Sequence, residues 1–302
     1  MLDVRRLRML RELSRRGTIA AVAQALAYTP SAVSQQLAAL EKEAGVALLE
    51  RSGRRVVLTP AATALVEHTE AVLERLERAG AELAATRTGP AGPLVVGAFP
   101  SAARAVVPAA LARLAAEHPG LVPAVREIDP AAVADAVRAG ELDVALVHRY
   151  DFVAAPPEPG LDTAHLFDEP MFLAAPRDLA PRPGAADPLG RWRDAPWIMA
   201  PPATRCGTMS VRACEAAGFT PRVRHVVDDF ATVLALVGIG HGVALVPQLG
   251  LVDPAPGVRL TRLAMHRTTL AAYRRGAGAH PAIAAFVRAV REVELPPIRA
   301  VD

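Results

Sequence analysis

Residues 18–45 read TIAAVAQALAYTPSAVSQQLAALEKEAG. Thr18 is a helix-capping residue, and Ile19, Val22, Ala23 and Leu26 follow it at helical spacing. Ala27-Tyr28-Thr29 leaves three residues for a turn. Thr29 then caps another helix with Pro30 at its first position, where a missing N–H costs nothing. Val33, Leu37 and Leu40 form the inner face of that helix, and Gly45 ends it. Two helices joined by a tight turn, the second opening with small polar residues, make a helix-turn-helix. Upstream, Leu7, Leu10 and Leu13 predict a supporting helix that stops at Gly17. Downstream, Leu48-Leu49, Arg51-Ser52-Gly53-Arg54-Arg55 and Val56-Val57-Leu58 predict a hairpin, or wing, with a basic tip.

Thr59-Pro60 opens a longer helix, expected to reach about Arg87. Leu65, Thr69, Val72, Leu76, Ala79 and Leu83 alternate spacings of four and three, which is a heptad seam for a second chain. One amphipathic stripe on a globular helix would look similar; the length and the narrowness of the stripe favour pairing. Thr88-Gly89-Pro90-Ala91-Gly92-Pro93 ends the helix as a linker.

From Leu94 strands and helices alternate, which predicts a mostly parallel sheet covered by helices. The expected strands are 94–99, 122–128, 144–148, 171–174, 197–200, 222–227, 243–247 and 268–274. The expected helices are 103–117, 131–139, 210–217, 230–237 and 281–293.

Ten basic and five acidic side chains fall in residues 1–60, whereas the whole chain carries only +3. Excess positive charge at one end suits a polyanionic partner, although Arg-rich helices are also common as solvated faces. No apolar leader or membrane-length stretch is present, and Cys206 and Cys214 are too few for a disulfide framework. The expectation is a cytoplasmic protein with no membrane contact.

The order of these parts resembles the LysR-type transcriptional regulators. The resemblance rests on Ser34, Gln36, Leu37, Leu40 and Glu41 in the third helix and on the wing Leu49-Glu50-Arg51-Ser52-Gly53-Arg54-Arg55-Val56-Val57-Leu58-Thr59. It continues in Gly97-Ala98-Phe99-Pro100-Ser101, in Ala139-Gly140-Glu141-Leu142-Asp143-Val144-Ala145-Leu146 and in Gly240-His241-Gly242-Val243-Ala244-Leu245-Val246-Pro247. The chain departs from the family at Gln35, where an Arg is common, at Leu49, where Phe is usual, and at Thr29-Pro30-Ser31. These departures bear on base preference and leave the fold alone.

The resemblance implies an N-terminal winged helix-turn-helix over 1–60, a linker and dimerisation helix over 61–87 and a hinge over 88–92. It implies a periplasmic-binding-protein-like effector domain over 93–302, with one α/β subdomain at 93–166 plus 268–302 and the other at 167–267. Implied partners are double-stranded DNA with an interrupted palindromic operator, a small-molecule effector expected to be anionic, and further copies of the chain as a homodimer or tetramer.

A recognition helix reads base edges from its first turns, so Thr29, Ser31, Ser34 and Gln35 are the candidates there. Helix capping fits Ser31 equally well. Arg54 and Arg55 suit phosphate or minor groove; Arg51 suits the same or an internal ion pair. Effector candidates are Ser101, His148, Thr204, Arg205 and Phe230, at strand ends or helix starts. Helix capping competes with ligand contact for Ser101 and Thr204, and core or rim packing for His148 and Phe230. For Arg205 the competing reading is a solvated surface residue.

Two other readings compete with an effector sensor. Peroxide-sensing relatives use a cysteine pair in this part of the chain, so Cys206 and Cys214 could sense redox state unless a helix holds them apart. Catalysis is the other, but no nucleophile elbow, phosphate loop or metal cluster appears. Gly238-Ile239-Gly240-His241-Gly242 follows a helix and precedes a strand, the wrong order for a dinucleotide. No enzyme activity, cofactor or metal is expected.

Overall fold

The computed structural model describes residues 1–52, 55–87, 89–179, 188–251 and 256–297. At the N-terminus α1 (Val4–Arg16), α2 (Ile19–Ala25) and α3 (Pro30–Ala44) enclose one apolar cluster containing Leu10, Leu13, Val22, Val33, Leu37 and Leu40. Each helix is capped by the residue before it. The Asp3 carboxylate accepts from the Arg5 and Arg6 N–H groups, Thr18 from that of Ala21, and Thr29 from that of Ala32. Strands β1 (Leu49–Ser52) and β2 (Arg55–Leu58) pair antiparallel, Leu49 opposite Leu58 and Arg51 opposite Val56. Gly53 and Arg54 lie outside the described residues.

Helix α4 (Pro60–Ala85) has two apolar faces. Ala62, Thr69, Leu73 and Ala81 are buried against the rest of the chain, while Val72, Leu76, Ala79 and Leu83 are exposed. Thr69 is thereby corrected: it belongs to the inner face, 1% exposed, with its hydroxyl donating to the Leu65 carbonyl at 2.7 Å. The heptad spacing picked it because positions three and four apart straddle two faces of one helix. Close packing onto α4 also explains Gly276, where φ is +89° and a Cβ would stand 2.6 Å from the Glu74 carbonyl oxygen.

Beyond the linker come β3 (Gly92–Ala98), α5 (Pro100–Ala105), α6 (Val107–Glu117), β4 (Leu121–Glu127), α7 (Pro130–Ala139) and β5 (Val144–Tyr150). They are followed by β6 (Leu161–Pro176), β7 (Pro196–Met199), α8 (Arg205–Ala216), β8 (Arg222–Val226) and α9 (Phe230–Gly238). The chain closes with β9 (Ala244–Pro247), β10 (Val258–Arg274) and α10 (Pro281–Arg291). The main sheet has the order β4-β3-β5-β10-β6-β9, and β7-β8 form a separate pair.

Three expectations are corrected. The sheet is mixed, because β10 runs antiparallel to both β5 and β6. The single helix expected over 103–117 is two, divided at Val106; Pro108 lacks the N–H that a continuous helix would use. The short strands at 171–174 and 268–274 are parts of the long strands β6 and β10, which pair from Leu161–Arg274 to Pro176–Val258. Asp168, Glu169, Pro170, His266 and Arg267 interrupt the apolar alternation there, which hid the continuity.

The two long strands carry the chain between two α/β clusters. One core contains Val96, Leu114, Leu146 and Phe286, and the other contains Met171, Trp197, Met209 and Leu245. Among the described residues no helix is long and apolar enough to cross a membrane. Phe286 is fully buried on α10. Phe286→Ala is expected to lower the stability by about 3–5 kcal/mol through lost transfer energy and a residual cavity, measured by urea unfolding.

Candidate functional site

The first site is the face of α3. Its inner residues Val33, Leu37 and Leu40 are buried, so the opposite face presents Ser31, Ser34 and Gln35 to solvent. Thr29 is occupied as the cap, 3.2 Å from the Ala32 N–H, and the Ser34 hydroxyl donates to the Pro30 carbonyl at 2.9 Å. Gln36 accepts from Arg6 Nε at 2.9 Å, and Arg6 also meets Glu43. The Glu41 carboxylate accepts from the Leu48 and Leu49 N–H groups at 2.9 and 3.0 Å, fastening the wing to α3. These last contacts give Gln36 and Glu41 structural roles.

The charge asymmetry of residues 1–60 is only partly available to a partner. Arg11 meets Glu12 at 2.9 Å, Arg15 meets Glu70 at 2.5 Å, and Arg16 meets both Glu12 (3.0 Å) and Asp135 (3.1 Å). Arg15 also donates to the Pro159 carbonyl at 3.1 Å. The bonds to Glu70, Asp135 and Pro159 dock α1 on α4 and on the effector half, while the Glu12 pairs lie within α1. Arg5, Arg8 and Lys42 remain exposed.

The second site is a cleft of about 630 Å³ where β3, β5 and β10 meet α5, α8 and α9. Its floor is Arg267, 1% exposed, whose Nε lies 2.7 Å from Oε1 of the fully buried Glu169. Burial alone would lower the Arg267 pKa; Glu169 and Tyr150 outweigh it and raise it above the usual value. Glu169 accepts a further bond from the Leu249 N–H at 2.7 Å. The other arm of Arg267 donates to Ser101 Oγ at 3.1 Å, and its guanidinium stacks 4.9 Å from the Phe99 ring centre. Arg267 therefore uses Ser101 as an acceptor and leaves the hydroxyl proton free to donate.

His148 stands beside this floor, with ring centres 4.8 Å from Phe99 and 4.9 Å from Tyr150. Burial, then Arg267 and Arg205, depress its pKa to about 3, so the ring is neutral. Its Nδ1 is buried without a hydrogen-bond partner among the described residues. Cys206 lines the same wall, and burial pushes its thiol up to about 11.

Of the five expected effector residues, the structure brings Ser101, His148 and Phe230 together in this cleft. Thr204 is not among its lining residues. As the cap of α8 it accepts from the Gly207 N–H at 3.0 Å and donates to the Pro201 carbonyl at 2.8 Å. Arg205 lines a neighbouring cavity of about 520 Å³ instead and donates to the His148 carbonyl at 3.0 Å. The sequence reading missed Arg267, Glu169, Tyr150 and Arg104. An isolated Glu and Arg inside strands otherwise rich in Leu, Ala and Phe were the available signal, since buried charge must be paired.

The expected anionic effector also meets a difficulty. Glu127, Asp129, Asp228 and Asp229 line the mouth, and among the described residues Arg104 is the one guanidinium there besides the neutralised Arg267. As for the cysteine pair, α8 is helical from Arg205 to Ala216. Cys206 and Cys214 are thus held about 12 Å apart, beyond the reach of a disulfide.

Residues 4–63 match the family description "Bacterial regulatory helix-turn-helix protein, lysR family", and residues 87–294 match "LysR substrate binding domain". The regulator TfdS of Cupriavidus pinatubonensis is 31% identical over 271 residues, covering 87% of this chain and 88% of its own. CbnR solved in complex with its target DNA is 25% identical with a TM-score of 0.55, covering 96% of this chain and 99% of that one. A mutant of Corynebacterium glutamicum OxyR bound to H2O2 shares the fold at 24% identity, with a TM-score of 0.60 over 96% and 92% of the two chains. The chain belongs to the LysR family of transcription regulators. Its α/β half is a sensor domain and not an enzyme.

Glu169→Ala is expected to cost about 3–5 kcal/mol of stability, because it strands the Arg267 charge away from water. The His148 pKa lies below its unfolded value of about 6.5. The unfolded chain therefore binds the extra proton first, and stability falls as pH drops from about 6.5 towards about 3. His148→Phe is expected to flatten that part of the profile, followed by urea unfolding at stepped pH.

Proposed function

We propose that the chain is a cytoplasmic, homo-oligomeric regulator that reads an interrupted palindromic operator and responds to a small molecule in the Ser101–His148–Phe230 cleft. The observation that carries the first part is the exposed Ser31, Ser34 and Gln35 face on a helix whose other side is locked into the core. Gln35 is placed to bond an adenine edge, and Ser31 and Ser34 to contact neighbouring bases. Thr29 orders the start of α3, while Arg51, Arg54 and Arg55 on the wing supply phosphate or minor-groove contacts. A CbnR–DNA complex in the same fold supports this reading.

One winged head is small, so useful affinity needs two. The seam of α4, from the half-buried Leu65 through the exposed Val72, Leu76 and Ala79 to Leu83, supplies the pairing, and two such pairs make a tetramer. The proposed division is a head over 1–60, a pairing helix over 61–87, a hinge over 88–92 and a sensor over 93–302. Within the sensor the subdomains are 93–166 with 268–302, and 167–267. Cleft occupancy shifts the population between two arrangements of these subdomains, and with it the spacing of the heads.

Leu76→Glu is expected to abolish pairing and operator retention together, read by analytical ultracentrifugation and gel shift. Undiminished operator affinity would remove the pairing role of α4. Arg54→Ala with Arg55→Ala is expected to weaken all sequences alike and to reduce the salt slope by about one to two. Gln35→Ala, in contrast, is expected to change which operator bases are preferred.

A further inference from the structure

We infer that the ligand of the cleft is an organic cation, a protonated amine carried on an apolar body, held by the carboxylates at the mouth. The inference rests on the cleft being the effector site and adds the chemical class of its ligand.

The first observation is the charge of the lining. Glu127 ends β4, Asp129 caps α7, and Asp228 and Asp229 precede α9, so three separate elements aim carboxylates at one space. Two of them are partly satisfied by backbone. Asp129 accepts from the Ala131 N–H at 2.7 Å, and Asp229 from the Thr232 N–H at 2.8 Å. None of the four forms an ion pair among the described residues. Asp228 feels the result: burial, then Asp129 and Asp229, hold its carboxyl above the usual range. Arg104 offsets part of this field at Asp229, whereas Arg267 is already committed to Glu169.

The second observation is independent of charge. His148 is 8% exposed and lines the same cleft, yet its Nδ1 has no partner among the described residues. A buried polar atom left unbonded is costly, so a ligand group that reaches and bonds it is favoured. The ring is neutral, and one of its nitrogens accepts a hydrogen bond, as an ammonium N–H requires. Phe99, Tyr150 and Phe230 supply the apolar surround, and aromatic faces also attract cations. A bare carboxylate would meet four like charges at the mouth and find Arg267 already occupied.

The test uses the full-length chain and two probes of similar size and opposite charge, 4-fluorobenzylamine and 4-fluorobenzoate, followed by fluorine NMR titration. The amine is expected to bind at millimolar concentration or tighter, and at least about tenfold better than the acid. Asp228→Asn and Glu127→Gln, both at exposed positions, are each expected to weaken the amine and not the acid. Equal or tighter binding of the acid, binding of neither probe, or amine affinity unchanged in both variants would overturn the inference. Gel-shift retention of operator by the unliganded chain is read in parallel. Its loss defeats the regulator reading, while its persistence with a failed titration defeats only the cation.

Discussion

The ion pair between Arg267 and Glu169 is the constraint around which the sensor half is arranged. Taking two full charges out of water is costly, and the arrangement holds only because each is met from several sides. Glu169 lies on β6 and Arg267 on β10, and their other bonds reach the Leu249 N–H and the Ser101 hydroxyl. One buried pair thereby ties both crossing strands to the turn after β9 and to the start of α5. Burial first, and then the same guanidinium with Arg205, keep His148 uncharged, so the pair that holds the fold also bears on the chemistry of the cleft.

The N-terminal half uses its charges differently. Its arginines are divided between holding the molecule together and remaining free. Arg15 binds Glu70 and Arg16 binds Asp135, which seats the reading head on α4 and on α7 of the sensor. The Pro159 carbonyl takes bonds from both Arg15 and Arg138, so the loop before β6 touches the head directly. The cavity beside that loop is lined by Pro156, Pro157 and Glu158, which places sensor surface and head surface on two sides of one short segment.

Much of this was legible in the amino-acid order where the determinants are local. The caps Thr18, Thr29 and Thr59, the stop signals Gly17 and Gly45, and the spacing of Val33, Leu37 and Leu40 describe the head almost residue by residue. Ser101, His148 and Phe230 line one cleft, a position that strand ends and helix starts announce in the sequence. Less legible were features set by partners distant in sequence. Thr69 follows the heptad spacing yet turns inward, because α4 must satisfy two faces. Arg267 and Glu169 are 98 residues apart, and nothing near either announces the other. Asp228 and Asp129 share a space only after the sheet brings β4 and α9 together, so the sign of the cleft is a tertiary property.

Between two irregularities of its register the β6–β10 ladder pairs His266–Thr269 with Pro170–Phe167 one for one, and this limits what kinds of change the molecule tolerates there. A pleated strand turns alternate residues to opposite sides, so deleting one amino acid within that stretch would reverse the side chains beyond it as far as the next irregularity. Arg267 would then face away from Ser101, and Glu169 would lose its counterion. Substitutions can drift along this stretch, but its length is held in step, whereas the irregularities at 262–266 and 269–270 already take up extra residues. Gains and losses of chain are left to the connecting segments, where no facing partner keeps count.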